Sequence, residues 1–240
     1  MRVLFISIVG SVHDKNTWSG TTHYLYKHLS QHYETENLST LKTKKAPFKF
    51  AYRIASKFSS KTFLFDTSHF LAKLYAREIE QYLKSTKDLG LIVSDSSIPM
   101  AYLRTNIKTM VYTDSNFNAM LAAHHEFQNL SRLSINRGND LEERALNNID
   151  YVVYSSEWAK RTAVEAYGIN ESKIHVNPFG LNLDEIQDID KVRSAIEDRW
   201  RTPAIDLIFI GRNWERKGGD IAYKTMLNLR KNHNFDSWKL

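Results

Sequence analysis

"LIFIGRNWERKGGD", Leu207 to Asp220, is an apolar, β-branched run that breaks at Gly211 into a turn of bases and glycines. The run predicts a buried strand over Asp206 to Ile210, and the residues after the turn read as a helix. A strand that passes through a glycine turn into a helix is the repeating unit of parallel α/β sheets. Gly211 suits the sharp exit from the strand. Gly218 and Gly219 are expected to leave backbone amides exposed where the helix begins. A helix N-terminus carries unsatisfied N–H groups and about half a positive charge, so it attracts phosphate. Arg212 would close on the same anion as a fork and Lys217 as a point charge. The spacing is neither GxGxxG nor GxxxxGK[ST], which removes the dinucleotide and P-loop readings. An ordinary glycine-rich turn with solvated bases remains the alternative.

The same alternation runs through the rest of the chain. Strands are expected at Arg2 to Ile8, Glu36 to Leu41, Leu89 to Ser94, Lys108 to Thr113, Tyr151 to Tyr154 and Lys173 to Val176. Helices are expected at Thr21 to Gln31, His69 to Lys84, Asn139 to Asn147, Glu157 to Tyr167 and Asp190 to Trp200. This pattern predicts an α/β fold with a mostly parallel sheet covered on both faces, whose ligands bind at the carboxyl ends of the strands. The polar stretch "GLNLDEIQDID", Gly180 to Asp190, marks the boundary. It divides residues 1–180, a Rossmann-like domain, from a linker and helix over 181–203 and a single βα unit over 204–240.

Composition narrows the function. The 240 residues are 42% hydrophobic and 25% charged, with four prolines and nine glycines, so the chain is globular. It has no cysteine, which excludes disulfide frameworks, thiolate zinc sites and cysteine nucleophiles. "MRVLFISIVGS" is too short for a membrane span and has no convincing cleavage site, so it is read as a first strand in a cytoplasmic protein. A net charge of +6 favours anionic partners. The bases concentrate in "KTKKAPFKFAYRIASKFSSK", Lys42 to Lys61, which has no acidic residue and interleaves aromatics. That segment suits peripheral contact with an anionic membrane, or a solvated helix with its Phe residues inward and Lys49, Arg53, Lys57 and Lys61 as one exposed stripe. No recognised nucleic-acid-binding signature accompanies it.

Two loops carry candidate chemistry. In "WSGTTHY", Ser19 can cap the following helix while Gly20 and Thr21 present amides beneath the end of the first strand. "YTDSNF" places Asp114 at the carboxyl end of a strand, where it could accept from a ligand's hydroxyls, take a proton, or merely cap the next helix. His124 and His125 follow and read as surface or core residues.

"IGRNWERKGGDIA" resembles the start of the C-terminal domain of family 4 (group 1) retaining glycosyltransferases of the GT-B fold. "WSGTTHYLYKHL", "VYTDSNF" and "YSSEWAKRTAVEAYGINESKIHVNPFGLN" agree with that family in the same order. The resemblance implies a GT-B architecture, with an acceptor-side Rossmann-like domain followed by a nucleotide-sugar domain. It implies transfer of a sugar from a nucleotide-sugar donor to a glycan or lipid-linked acceptor hydroxyl with retention, usually without an essential metal. No cofactor is implied, since the donor is a substrate. Arg212 and Lys217 match the arginine and lysine that hold the donor diphosphate. Two departures stand out. Many relatives have a Gly-Gly pair where Ser19-Gly20-Thr21 stands, and many have a histidine near Asp114. Glu157 and Glu165 have the family's Glu-x7-Glu spacing, but that pair belongs further into the donor domain than Leu240, and these two read as a solvated helix face.

The family's base- and ribose-binding residues would also follow Leu240. The chain is therefore expected to show little transferase activity alone. The alternative is a binding module for a glycan, lipid or partner protein; a GT-B phosphorylase or epimerase fits the same segments less well.

Overall fold

Six strands pair in one sheet of order β2-β1-β3-β4-β5-β6, all parallel. They are β1 (Arg2–Ile6), β2 (Glu34–Leu38), β3 (Leu89–Ser94), β4 (Lys108–Thr113), β5 (Tyr151–Tyr154) and β6 (Ile174–Val176). The computed structural model describes residues 1–38, 46–124, 127–185, 188–201, 207–211 and 214–233. The helices are α1 (Thr21–His32), α2 (Ala46–Lys57), α3 (His69–Ser85), α4 (Phe117–Ala123), α5 (Arg132–Asn148), α6 (Glu157–Tyr167), α7 (Ile189–Arg201) and α8 (Gly219–His233).

The chain divides into two compact units, Met1–Asn182 and Leu183–Leu240. The first holds the whole sheet. Alternate residues of β1 point to opposite faces, as a strand buried on both sides requires. Leu4 and Ile6 join Ile92, Val111 and Val152 under α3, α5 and α6, while Val3 and Phe5 join Val93 under α1. The strand order reverses between β1 and β3, so their carboxyl ends splay apart there and leave a crevice.

β3, β4, β5 and α6 occupy the residues expected from the sequence. α5 starts at Arg132, capped by the Ser131 side chain, seven residues before the expected Asn139. Gly138 and its polar neighbours weaken the helical pattern over that first stretch. In the fold Gly138 is a contact: a Cβ there would stand 2.2 Å from the Phe117 ring.

The basic segment also departs from its expected form. Lys42, Lys44 and Lys45 lie outside the described residues, and α2 ends at Lys57, so Lys61 is not on its stripe. Lys61 Nζ instead donates to Asn129 Oδ1 at 3.1 Å. Nor do all the phenylalanines turn inward: Phe50 is 67% and Phe58 90% exposed. Tyr52 faces inward in their place, because it can pack its ring on Phe65 and still accept a hydrogen bond from the Arg137 guanidinium at 3.2 Å.

In the second unit, the expected strand over Asp206 to Ile210 is not formed by the described residues Leu207 to Ile210, and Asp206 lies outside them. A strand needs a neighbour for its ladder, and this unit supplies none among its described residues. The turn that follows leads directly into α8.

Candidate functional site

A cavity of about 260 Å³ opens at the carboxyl ends of β1, β3 and β4, beside the strand-order reversal. The loop after β1 gives Val9 and Trp18, the loop after β3 gives Asp95 to Ile98, and the loop after β4 gives Thr113 to Ser115. Phe117 and Met120 of α4 and Glu142 of α5 close it. A larger, more open depression of about 480 Å³ lies along α5 between Asp140 and Asn148, away from the strand ends.

The loop between β1 and α1 is strained. Trp18 (φ 47°) and Ser19 (φ 55°) adopt left-handed conformations, followed by Gly20 (φ 88°). For an L residue that conformation costs roughly 1 to 2 kcal/mol. Its surroundings hold it in place. Trp18 meets Phe179 edge to face with ring centroids 5.3 Å apart, and Tyr112 packs on the same ring at 5.1 Å. Tyr112 Oη donates to the Asn177 and Pro178 carbonyls, which fixes the loop that carries Phe179. Asn182 Nδ2 donates to the Ser19 carbonyl at 3.0 Å and to Thr21 Oγ1 at 3.2 Å.

Ser19 therefore does not cap α1 as expected. Gly20 occupies the N-cap position, and no side chain caps it. Glycine is required there by its positive φ, and also by the Tyr24 ring, 3.3 Å from where a Cβ would lie.

Asp114 does not cap a helix either. Asn116 caps α4, its Oδ1 accepting from the Ala119 amide at 3.0 Å. Asp114 is open to solvent on the floor of a concave cleft, where the surrounding protein raises its pKa; the charge of nearby His124 opposes that shift in part. His125 lies outside the described residues.

Two carboxylates that sequence reasoning missed share the cavity. Asp95, just past β3, is 3% exposed. Thr22 Oγ1 donates to its Oδ2 at 2.8 Å, and its Oδ1 makes no hydrogen bond of good geometry. Burial pushes Asp95 up to about 6 against the hydroxyls of Ser7 and Thr22. Glu142 is 7% exposed, and burial pushes it up to about 7, opposed only by the Ser97 hydroxyl that donates to Oε2 at 2.9 Å. Each left a signal in the sequence. Asp95 follows a strand just as Asp114 does, and Glu142 falls among Gly138, Leu141, Ala145 and Leu146 on the apolar face of α5.

The residues of the expected phosphate site lie in the second unit. Arg212 lies outside the described residues. Gly211 packs against Phe209 and Lys217, whose side chains would block a Cβ at 2.8 and 2.9 Å. Lys217 is exposed, and Gly218 turns the chain with a φ of 75°. The expected exposed amides of Gly218 and Gly219 are occupied, donating to the Glu215 and Trp214 carbonyls at 3.1 and 2.9 Å. The first helical bond runs from Ala222 to Gly218, which leaves the next two amides, of Asp220 and Ile221, as the start available to an anion. Glu157 and Glu165 are exposed along α6, as a solvated face requires.

Among the described residues no three His, Cys, Asp or Glu side chains are placed to hold one metal ion. No described helix is long and apolar enough to cross a membrane. No protein-family model matches the chain, and no curated protein matches it significantly.

Proposed function

We propose that this protein serves sugar transfer, with Met1–Asn182 binding the acceptor of a retaining, GT-B type glycosyltransferase. The observation that carries the reading is the cleft at the strand-order reversal, where Trp18 and Asp114 line one cavity at the carboxyl ends of parallel strands. An aromatic ring beside carboxylates is the chemistry that binds sugars: the ring covers an apolar ring face and the carboxylates accept from hydroxyls.

In the proposed reaction, the bond from the anomeric carbon to the donor diphosphate breaks. The acceptor oxygen bonds to that carbon on the same face, and its proton passes to Asp114 or to the leaving phosphate. Desolvation raises the pKa of Asp114, which makes its carboxylate a better proton acceptor than an ordinary one. Arg212, Lys217 and the turn through Gly211 and Gly218 would stabilise the diphosphate charge, and Ser19 to Thr21 would approach the donor through its backbone.

The proposal includes peripheral contact with an anionic membrane. Phe50, Ile54 and Phe58 are exposed on or just past α2, beside exposed Arg53 and Lys57, so apolar and basic groups share one outward face. A lipid-linked acceptor would be met at such a surface.

The test is to titrate the 240-residue protein with a panel of nucleotide-sugars and glycosides by calorimetry, reading any transfer by mass spectrometry and its anomeric configuration by NMR. The chain alone is expected to transfer little, so binding of both a nucleotide-sugar and a glycoside, the latter weakened by Asp114→Asn, supports the reading. Donor hydrolysis or transfer with inversion overturns it. A binding module is the second reading, favoured because all the described residues that line the cavity belong to Met1–Asn182; acceptor binding with no donor binding selects it.

A further inference from the structure

The cavity's charge is unlike that of the chain around it. The protein carries a net +6, yet the described residues that line the cavity include four carboxylates, Asp66, Asp95, Asp114 and Glu142, and no lysine, arginine or histidine. Acidic residues at a cleft can be incidental when they reach solvent or each other's hydrogen-bond donors. Two of these do neither fully. Glu142 is 93% buried, and its one hydrogen bond, from Ser97, goes to Oε2. That leaves Oε1 toward the cavity without a donor. Asp95 Oδ1, in a side chain 97% buried, makes no hydrogen bond of good geometry among the described residues, although the Ser7 hydroxyl lies beside the carboxylate.

Unpaired buried carboxylate oxygens are costly unless a donor or a charge meets them. A single metal ion is the wrong answer, because among the described residues no three such side chains converge on one point. A phosphate is repelled outright. A hydroxyl satisfies an oxygen without cancelling charge, whereas an ammonium does both, and charge-assisted bonds are about twice as strong as neutral ones. Trp18 in the same wall adds a ring face that attracts cations.

We propose that this cavity binds a polyhydroxylated ligand through a protonated amine, as in an amino sugar, with the ammonium held at Glu142 and the sugar ring against Trp18. Only the ligand's role as acceptor rests on the transferase reading. The ammonium supplies the donors that Glu142 Oε1 lacks, and the ring hydroxyls face Asp114 and Thr113. The site discriminates against phosphorylated sugars by charge alone.

Calorimetry or saturation-transfer NMR on the 240-residue protein tests this with four probes: glucosamine, N-acetylglucosamine, glucose and glucose 6-phosphate. Glucosamine is expected to bind at least about tenfold more tightly than glucose, N-acetylglucosamine to match glucose, and glucose 6-phosphate not to bind. Glu142→Gln is expected to erase the preference for glucosamine over glucose. The acetylated probe removes the charge from the ligand, so the test stands even if that variant fails to fold. Equal binding of glucosamine and N-acetylglucosamine, tighter binding of the phosphate, or no glucosamine binding at millimolar concentration overturns the proposal. Transfer to a neutral acceptor without amine preference sinks this inference and spares the transferase reading. Amine preference with no binding of any nucleotide-sugar does the reverse.

Discussion

Thr22 Oγ1 donates to Asp95 Oδ2 at 2.8 Å, tying the first turn of α1 to the end of β3 across the point where the strand order reverses. This is the only hydrogen bond of good geometry made by the Asp95 carboxylate among the described residues. Thr22→Val keeps the side-chain shape and removes the donor. The variant is expected to lose about 1 to 3 kcal/mol in chemical denaturation at pH 8, where the carboxylate is ionised, and less at pH 5. Equal losses at both pH values would show that the hydroxyl matters only for packing.

Asp95 and Glu142 give the fold a defined pH dependence. Both pKa values are raised on folding, from 3.8 to about 6 and from 4.5 to about 7, so the folded state binds more protons than the unfolded state between those values. Stability must therefore fall as pH rises from about 4 to about 7 and level off above. Glu142→Gln removes its share of that slope. It is expected to be more stable than the parent at pH 8, by up to about 3 kcal/mol, and no more stable at pH 4. Thermal melts across that range read the difference directly.

Gly138→Ala tests whether α5 is shaped by the cavity. Alanine favours a helix interior by about 1 kcal/mol, so propensity alone predicts stabilisation. The Phe117 ring 2.2 Å from the new methyl predicts the opposite, a net loss of about 1 to 3 kcal/mol with Phe117 displaced into the cavity. Denaturation gives the sign, and the aromatic NMR resonances show whether the ring has moved.

Replacing Phe50 and Phe58 together by serine should leave the melting temperature within a few degrees, because both side chains face outward. Co-sedimentation with phosphatidylserine vesicles should drop by at least about tenfold, since each buried aromatic adds 1.5 to 3 kcal/mol of membrane affinity. Unchanged sedimentation would remove the membrane from the proposal.

The sheet was legible because its signals are local. β3, β4 and β5 are apolar runs bounded by turn residues, and α6 begins at the Ser156 cap and ends at Gly168 in the left-handed conformation. Asp114 and the Ser19 to Thr21 turn were legible as positions, since both follow strands. Their local roles were not. Whether Ser19 or Gly20 caps α1 depends on Phe179 and Asn182, far along the chain. Asp95 and Glu142 were missed for the same reason: Thr22 lies 73 residues from Asp95, and Ser97 lies 45 residues from Glu142. The run Leu207 to Ile210 shows the converse, a strong local strand signal without a described partner to pair with.

Asn182 lies 163 residues from Ser19, the carbonyl of which it holds. That separation gives the left-handed turn a place in time as well as in space. A contact across so much chain closes late, after local helices and neighbouring strands have formed. During synthesis, Trp18 and Ser19 leave the ribosome long before the residue that secures them, so the turn can relax to ordinary backbone angles while the sheet assembles. The cleft is thus finished by the last residue of its own unit, and the nascent chain carries an unformed site until Asn182 emerges.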